Sequence, residues 1–325
     1  MEASPVLPTL GELLSGNGTA KRVAKDGGVT IILNLHKRVK ALAPQLIAIL
    51  QQTMLYKVDA IWICMFQSPR NAGFREKFQA IIDQFQNPLI KIIASTANFK
   101  FYGRFQLAIG SKSKYILIMD DDMVPGPRWL ELLYATAQKR EIRGVYGAIG
   151  WIYPSEITDV RSMKHANHRF EDFQGYHNGI LPFYRDVYHG GLYLPDPTYE
   201  VEILRMLTTD MICSTWFVPR AWVAYLFFEA PNSYDTGEDF MLGYSVRKYA
   251  NKPMYVLPSI EHTLIPHIKV GDGRNHQTWE LSEYTADSQH ALSLSNAATG
   301  GNDVRRRWTL AAELLRRGDP YLWTN

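Results

Sequence analysis

The chain has 325 residues, 46% hydrophobic and 21% charged, with a formal net charge of +3. That composition belongs to a folded globular protein large enough for one big domain or two smaller ones. Its charge is too close to balance to argue for nucleic acid or a strongly anionic membrane as partner. The two cysteines, Cys64 and Cys213, lie in apolar predicted strands. They read as core thiols rather than a disulfide and say little about redox compartment. Aromatic residues reach 12%, which suits sugar rings and core filling alike.

Residues 1–28 read as a loose leader with glycines at its end. The leader holds no apolar run long enough for a signal peptide or a membrane span. The chain as given therefore reads as soluble, which fits the cytoplasm, or the Golgi lumen if an anchor lies outside this sequence. Asn17-Gly18-Thr19 matches a glycosylation acceptor, which matters only in a secretory setting.

From residue 29 the apolar pattern alternates between strand and helix. Val29 to Leu35 reads as a strand, followed by a helix with Pro44 in its first turn and Leu46, Ile47, Leu50 and Met54 at helical spacing. Ala60 to Phe66 is a second strand, and Phe74, Phe78, Ile81, Ile82 and Phe85 mark the next helix. Leu89 to Ala94, a helix over Gly103 to Ile109, and the strand from Tyr115 follow, and then a helix from Pro127 that buries Leu130, Leu133, Tyr134 and Ala137. Four strand–helix alternations predict a parallel, doubly wound α/β sheet.

The second half is less regular. Gly144 to Ile149 and Met211 to Val218 read as strands, and Pro219 opens a helix through Phe228. Between them, residues 151–200 form a long irregular stretch rich in Tyr, Phe, His and Pro. A long loop of this kind is usually functional or disordered, and its aromatics argue against disorder. Thr236 to Asp239 (TGED) enters a helix that buries Leu242, Val246 and Tyr249, and Met254 to Leu257 is a strand. From residue 271 to 325 the chain reads as a polar tail ending in a basic helix.

The chemistry gathers at Tyr115 to Arg128, YILIMDDDMVPGPR. A buried strand delivers Asp120, Asp121 and Asp122 to its carboxyl end, which is where open α/β sheets bind ligands. Three adjacent carboxylates repel one another unless something positive balances them. A hard divalent cation, Mg²⁺ or Mn²⁺, shared with a substrate's phosphates is the usual solution. The same residues also read as a polar turn, with Asp121 or Asp122 favouring the start of the next helix. Downstream, Glu238-Asp239 could supply a general base to an acceptor hydroxyl. Equally, TGED is close to a capping box, with Thr236 as the cap.

The order is a nucleotide-binding βαβ half, an aspartate triad off a strand, an aromatic loop, a strand and a Gly-Glu-Asp helix start. It resembles the GT-A glycosyltransferases over about residues 29–265. IMDDDMVPGPRWL is similar to segments of the inverting family 2 and the exostosin-like enzymes, and NFKFYGRF (Asn98 to Phe105) to an exostosin-type segment. The resemblance implies a GT-A, Rossmann-like fold over 29–270, with a donor half (29–125) and an acceptor half (126–270). It further implies a metal-dependent glycosyltransferase that uses a nucleoside diphosphate sugar, with UDP the first choice, and a glycan or other hydroxyl acceptor.

Carried over by position, Asp120, Asp122 and a C-terminal histidine (His262, then His276 or His267) would hold Mn²⁺ or Mg²⁺. Asn34, Asn98, Arg104, Asp120, Asp121 and Arg274 would bind the donor. Asp239, with Glu238, would be catalytic. Trp216, Asp210 and Trp151 would face the acceptor. Family 2 enzymes often carry an acidic residue after the second strand to read the base, whereas this chain has Phe66-Gln67-Ser68. Two rivals remain. An aspartate-nucleophile phosphohydrolase shares the D-x-D and has a loop like Gly271 to Asn275 (GDGRN), but it does not use TGED. A non-catalytic nucleotide- or sugar-binding protein is the other.

Overall fold

The structure, a computed structural model, describes residues 27–36, 38–67, 72–121, 123–140, 143–151, 206–231, 234, 236–257 and 278–280. Residues 1–26 of the leader, Asp122, the aromatic stretch 152–200, His262, His267, Arg274, His276 and the basic C-terminal stretch all lie outside them.

Apolar runs make the first strands, and strict alternation along each run feeds two separate cores. These strands are β1 (Val29–Asn34), β2 (Val58–Phe66), β3 (Ile90–Ser95) and β4 (Tyr115–Asp120). Ile31, Leu33, Ile61, Ile63, Leu117 and Met119 point to one face. There they meet helices α1 (Val39–Leu50), α2 (Arg75–Ile82) and α4 (Trp129–Gln138). Ile32, Cys64, Ile116 and Ile118 point to the other face, against α3 (Tyr102–Ile109) and α6 (Glu238–Ala250). Helices on both faces explain why β1 and β4 are apolar at most positions rather than half polar.

The short strands β5 (Met123–Pro125), β6 (Val145–Gly147) and β7 (Ile149–Trp151) come next. After them come β8 (Leu207–Thr209), β9 (Met211–Cys213), β10 (Thr215–Pro219), the single-turn helix α5 (Arg220–Val223) and β11 (Met254–Val256). The main sheet has the order β3-β2-β1-β4-β10-β6-β11-β8. Strands β3, β2, β1 and β4 are mutually parallel, as are β6 and β11, while β10 runs antiparallel to both its neighbours. This is a mixed, mainly parallel α/β sheet with helices on both faces.

Several expectations are corrected. The first helix begins at Val39, ahead of Pro44, which sits inside it. Burial of Ala41 and Leu42 holds that extra turn although proline cannot bond back to the Lys40 carbonyl. The run Met211 to Val218 is not one strand. Ser214 adopts a left-handed conformation (φ +63°) that divides it, sending β9 to pair with β7 and β10 into the main sheet. Gly144 to Ile149 likewise splits between β6 and β7. The helix from Pro219 is one α turn, α5, continued by a tighter 3₁₀ turn over Ala224–Phe227.

Helix α6 is capped by Gly237 (φ +89°), not by Thr236, and no side-chain cap bond forms. The positive φ at that position requires glycine and turns the Thr236 hydroxyl away from the capping geometry. Tyr249 is exposed rather than buried, lying against Tyr225 and Phe228. Finally, Thr278–Glu280, read as part of a polar tail, form β12, which pairs antiparallel with β5 beside the aspartate triad.

Candidate active site

Parallel pairing brings the ends of β1 and β4 to the same rim, with Asn34 in register with Asp120. The triad segment is clamped from beneath by a residue that the sequence did not single out. Gln45, fully buried in α1, donates from Nε2 to the carbonyls of Asp120 and Met123, both at 2.7 Å. A glutamine at helical spacing among leucines carries no chemical signature, and only the fold shows what it holds. Seven residues on, Gln52 fixes the Pro-Gly-Pro turn, donating to the Gly126 carbonyl (2.7 Å) and accepting from the Leu130 N–H (2.9 Å).

The positive partners of the first two aspartates are arginines. Buried Asp121 accepts from Arg38 Nη1 at 2.8 Å and from the His36 N–H at 3.2 Å. Asp120, 29% exposed, pairs through Oδ1 with Arg104 Nη1. Arg104 is itself buried in α3, and its Nη2 donates to Glu238 Oε1 at 2.9 Å. The guanidinium lies over the Trp216 ring, 4.5 Å from its centre. One planar fork therefore joins a strand-end carboxylate to a helix-start carboxylate far along the chain. Burial alone would weaken the Arg104 charge, but Asp120 and Glu238 more than offset this and its pKa is raised. Burial pushes the Asp120 carboxyl up, and Arg104 opposes that shift.

Glu238 and Asp239 occupy the first turn of α6, where the helix dipole favours negative charge. Asp239 is buried. Its Oδ1 accepts the Phe240 N–H at 2.7 Å and its Oδ2 faces the Cys213 thiol at 3.6 Å. The left-handed Ser214 is what brings Cys213 here, because it ends β9 one residue before β10 begins.

The remaining expected site residues fall elsewhere. Asn98 is exposed and shapes the turn before α3, its Oδ1 accepting the Lys100 N–H at 2.9 Å. Trp216 is buried on the main sheet and donates its indole N–H to the Ile212 carbonyl (2.8 Å), so it offers no face to solvent. Asp210 is buried in an ion pair with Arg247 of α6 (2.7 Å), which also holds the Asp210 carbonyl (2.6 Å). Both were expected on the acceptor side, and both instead fasten α6 and β10 to their neighbours. Trp151 is placed by its backbone alone, opposite Met211 at the end of β7.

Among the described residues no three His, Cys, Asp or Glu side chains gather for a metal. The carboxylate that fits a cation best is Asp120, partly exposed and held by Arg104 through one oxygen only. Asp121 is committed to Arg38. No helix among the described residues is long and apolar enough to cross a membrane.

The family model of glycosyl transferase family 2 matches residues 70–197. That span carries β3, α3, β4 and the triad, and so includes Arg104 and Asp120 but not Glu238 or Asp239. No curated protein matches the chain.

Proposed function

We propose that the chain is a GT-A glycosyltransferase that transfers a sugar from a nucleoside diphosphate donor, UDP first, to the hydroxyl of a glycan or other acceptor, a reading supported by the family 2 match over residues 70–197. The observation that carries this reading is the Arg104 bridge, which sets a strand-end aspartate and a helix-start acidic pair in one site. A donor needs a place at the rim of β1 and β4, and an acceptor hydroxyl needs a base nearby.

In the proposed roles, Asn34 and Asp120 line the donor rim, Asn98 sits on the loop above α3, and Asp121 is held rigid by Arg38. Arg104 orients Asp120 and Glu238 and supplies the positive charge between them. Asp239 removes the proton from the acceptor hydroxyl as its oxygen bonds to the sugar's anomeric carbon and the bond to the diphosphate breaks. One direct displacement of this kind inverts the anomeric centre. The Cys213 thiol, a weak donor 3.6 Å from Oδ2, orients Asp239.

Mn²⁺ or Mg²⁺, held by Asp120 and Asp122 with His262, would supply charge neutralisation to the diphosphate leaving group. Pairing of β12 with β5 supports a contribution from the segment just before it, Arg274 and His276. The donor half (29–125) and the acceptor half (126–270) are proposed as divisions of one catalytic domain, followed by a C-terminal tail (271–325).

The test is a thermal-shift and calorimetric screen of UDP-, GDP- and CMP-sugars with and without Mn²⁺. Asp122→Ala is expected to abolish metal-dependent donor binding, and unchanged affinity would remove the metal assignment. Asp239→Asn is expected to keep donor binding and lose transfer by roughly 10²- to 10⁴-fold. Full activity in that variant would sink the base assignment. Cleavage of a simple phosphomonoester would favour a phosphohydrolase, and binding without turnover a carrier.

A further inference from the structure

Helix α1 buries Ala41, Leu42, Leu46 and Ile49, and among them it buries Gln45, which is 0% exposed. A leucine or methionine would fill that space with no polar group to satisfy. Gln45 instead directs its Nε2 at the carbonyls of Asp120 and Met123, 2.7 Å from each. Its Oε1 is closed to solvent and has no hydrogen-bond partner among the described residues. A buried amide with an unmet acceptor is costly, and native folds keep few of them. Only the two N–H bonds offset that cost here. In the flipped orientation Oε1 would face two carbonyl oxygens, so the amide has one way to sit.

The two carbonyls bracket the turn that carries the aspartates. Asp120 closes β4, and Met123 opens β5. Other bonds tie the same turn. The Asp120 N–H donates to the Ser214 carbonyl at 2.8 Å, and the Asp121 carboxylate accepts from Arg38 and the His36 N–H. Each of these fixes one residue of the turn. Gln45 joins its two ends and so sets the span between them.

The span of a ligand-bearing turn bears on which cation fits. Mg²⁺ demands near-octahedral geometry at short oxygen distances, whereas Ca²⁺ accepts more ligands, longer bonds and looser angles. A turn pinned at both ends therefore favours the small ion. Residues that hold the ligands, rather than the metal, commonly control affinity.

We propose that Gln45 is a positioning residue for the cation site at Asp120, and that it selects a small octahedral cation, Mg²⁺ or Mn²⁺, over Ca²⁺. The proposal rests on the metal-dependent glycosyltransferase reading and adds to it the residue that enforces cation size. Gln45 touches neither cation nor donor and acts through the two carbonyls.

Gln52 supplies the control. It is likewise buried, 5% exposed, and bonds the Gly126 carbonyl and the Leu130 N–H, past the end of β5. The experiment titrates UDP, and separately GDP, into the full chain by calorimetry in excess Mg²⁺, Mn²⁺ or Ca²⁺, and in chelator. Wild type is expected to bind nucleotide more tightly with Mg²⁺ or Mn²⁺ than with Ca²⁺. Gln45→Met should weaken binding in Mg²⁺ and Mn²⁺ by about 10-fold, the usual effect of a residue behind the metal ligands. Binding in Ca²⁺ should change little, so the preference for the small ions narrows. Gln52→Met should lower Tm as Gln45→Met does, since each loses buried hydrogen bonds. It should leave all three affinities as in wild type. Gln45→Asn keeps an amide but is one methylene short of its carbonyls. It should fall between wild type and Gln45→Met, and it decides the matter where Gln45→Met does not fold.

An unchanged cation preference in a folded Gln45→Met or Gln45→Asn would overturn the proposal. So would equal losses in all three cations, or the same narrowing in Gln52→Met, since either marks a general loosening of the fold. A wild type that binds neither nucleotide in a cation-dependent way would remove the metal reading and this proposal with it. Cation-dependent binding that the Gln45 variants leave intact counts against Gln45 alone.

Discussion

Replacing Arg104 with methionine keeps most of the buried stem and removes the guanidinium. What is left is Glu238, almost wholly buried, and Asp120, about a third exposed, each without the charge that Arg104 supplied. Breaking a buried ion pair by removing one partner costs about 3–5 kcal/mol. The Glu238 side should dominate, since water can partly solvate Asp120. At about 2–4 °C per kcal/mol for a domain of this size, Tm should fall by roughly 10 °C. Arg104→Lys keeps one charge but cannot span both carboxylates, and should lose about half as much.

Denaturant unfolding followed by circular dichroism measures the change. Adding Asp120→Asn and Glu238→Gln to Arg104→Met separates charge from packing on Trp216. Recovery of stability in the triple variant means that the cost was unpaired charge. The sign with pH follows as well. Carboxylates stripped of Arg104 have raised pKa values, so the deficit of Arg104→Met should shrink as pH falls and grow as pH rises. A loss below about 1 kcal/mol for Arg104→Met would refute the bridge as a structural element.

Other outcomes are expected elsewhere in the fold. Burial pushes the Cys64 thiol up to about 12, with Arg104 partly opposing. Its contribution to stability should be complete below pH 9 and lost as pH rises toward 12, so Cys64→Ala should show a shallower alkaline decline in urea unfolding. Native protein should release one equivalent of thiol to an aromatic disulfide reagent, from Cys213, and two after unfolding. Gly243→Ala would place a methyl 2.5 Å from the Asp210 carbonyl oxygen. Alanine's helix advantage of about 1 kcal/mol should be outweighed by a packing cost of about 1–3 kcal/mol. Guanidinium unfolding decides this, and a stabilised Gly243→Ala would contradict the packing of α6 on that loop.

The parallel half of the sheet was legible because local signals agree with the global fold there. Runs such as VTIILN and YILIMD are apolar at most positions and are separated by helical spacing. The second half was harder for a physical reason. MICSTWFV is equally apolar on both sides of Ser214, so nothing in hydropathy marks the residue where the backbone turns left-handed and the strand changes sheets. Direction was equally hidden, since β10 has the same composition whichever way it runs.

At the site, the triad and TGED were visible as motifs. Their connection was not, because Arg104 and Glu238 lie 134 positions apart and salt-bridge partners carry no sequence signature. Part of the triad's charge balance was hidden for the same reason. Repulsion among aspartates requires a cation, but the sequence does not say that Arg38 and Arg104 are in place to supply one.

The antiparallel placement of β10 has a consequence for synthesis. Strand β4 pairs with β1 on one side and with β10 on the other. It leaves the ribosome complete at Asp120, while β10 begins only at Thr215. Throughout that interval YILIMD presents one row of unpaired amides on a flat, nearly uncharged strand, the kind that recruits other chains. A fragment ending at Trp151 is therefore expected to sediment as β-rich aggregate that binds amyloid dyes, where the full chain stays dispersed. A dispersed, monomeric fragment would show that something else covers that edge. The long segment between the two strands thus sets how long a nascent chain must be shielded before its own tenth strand can close the sheet.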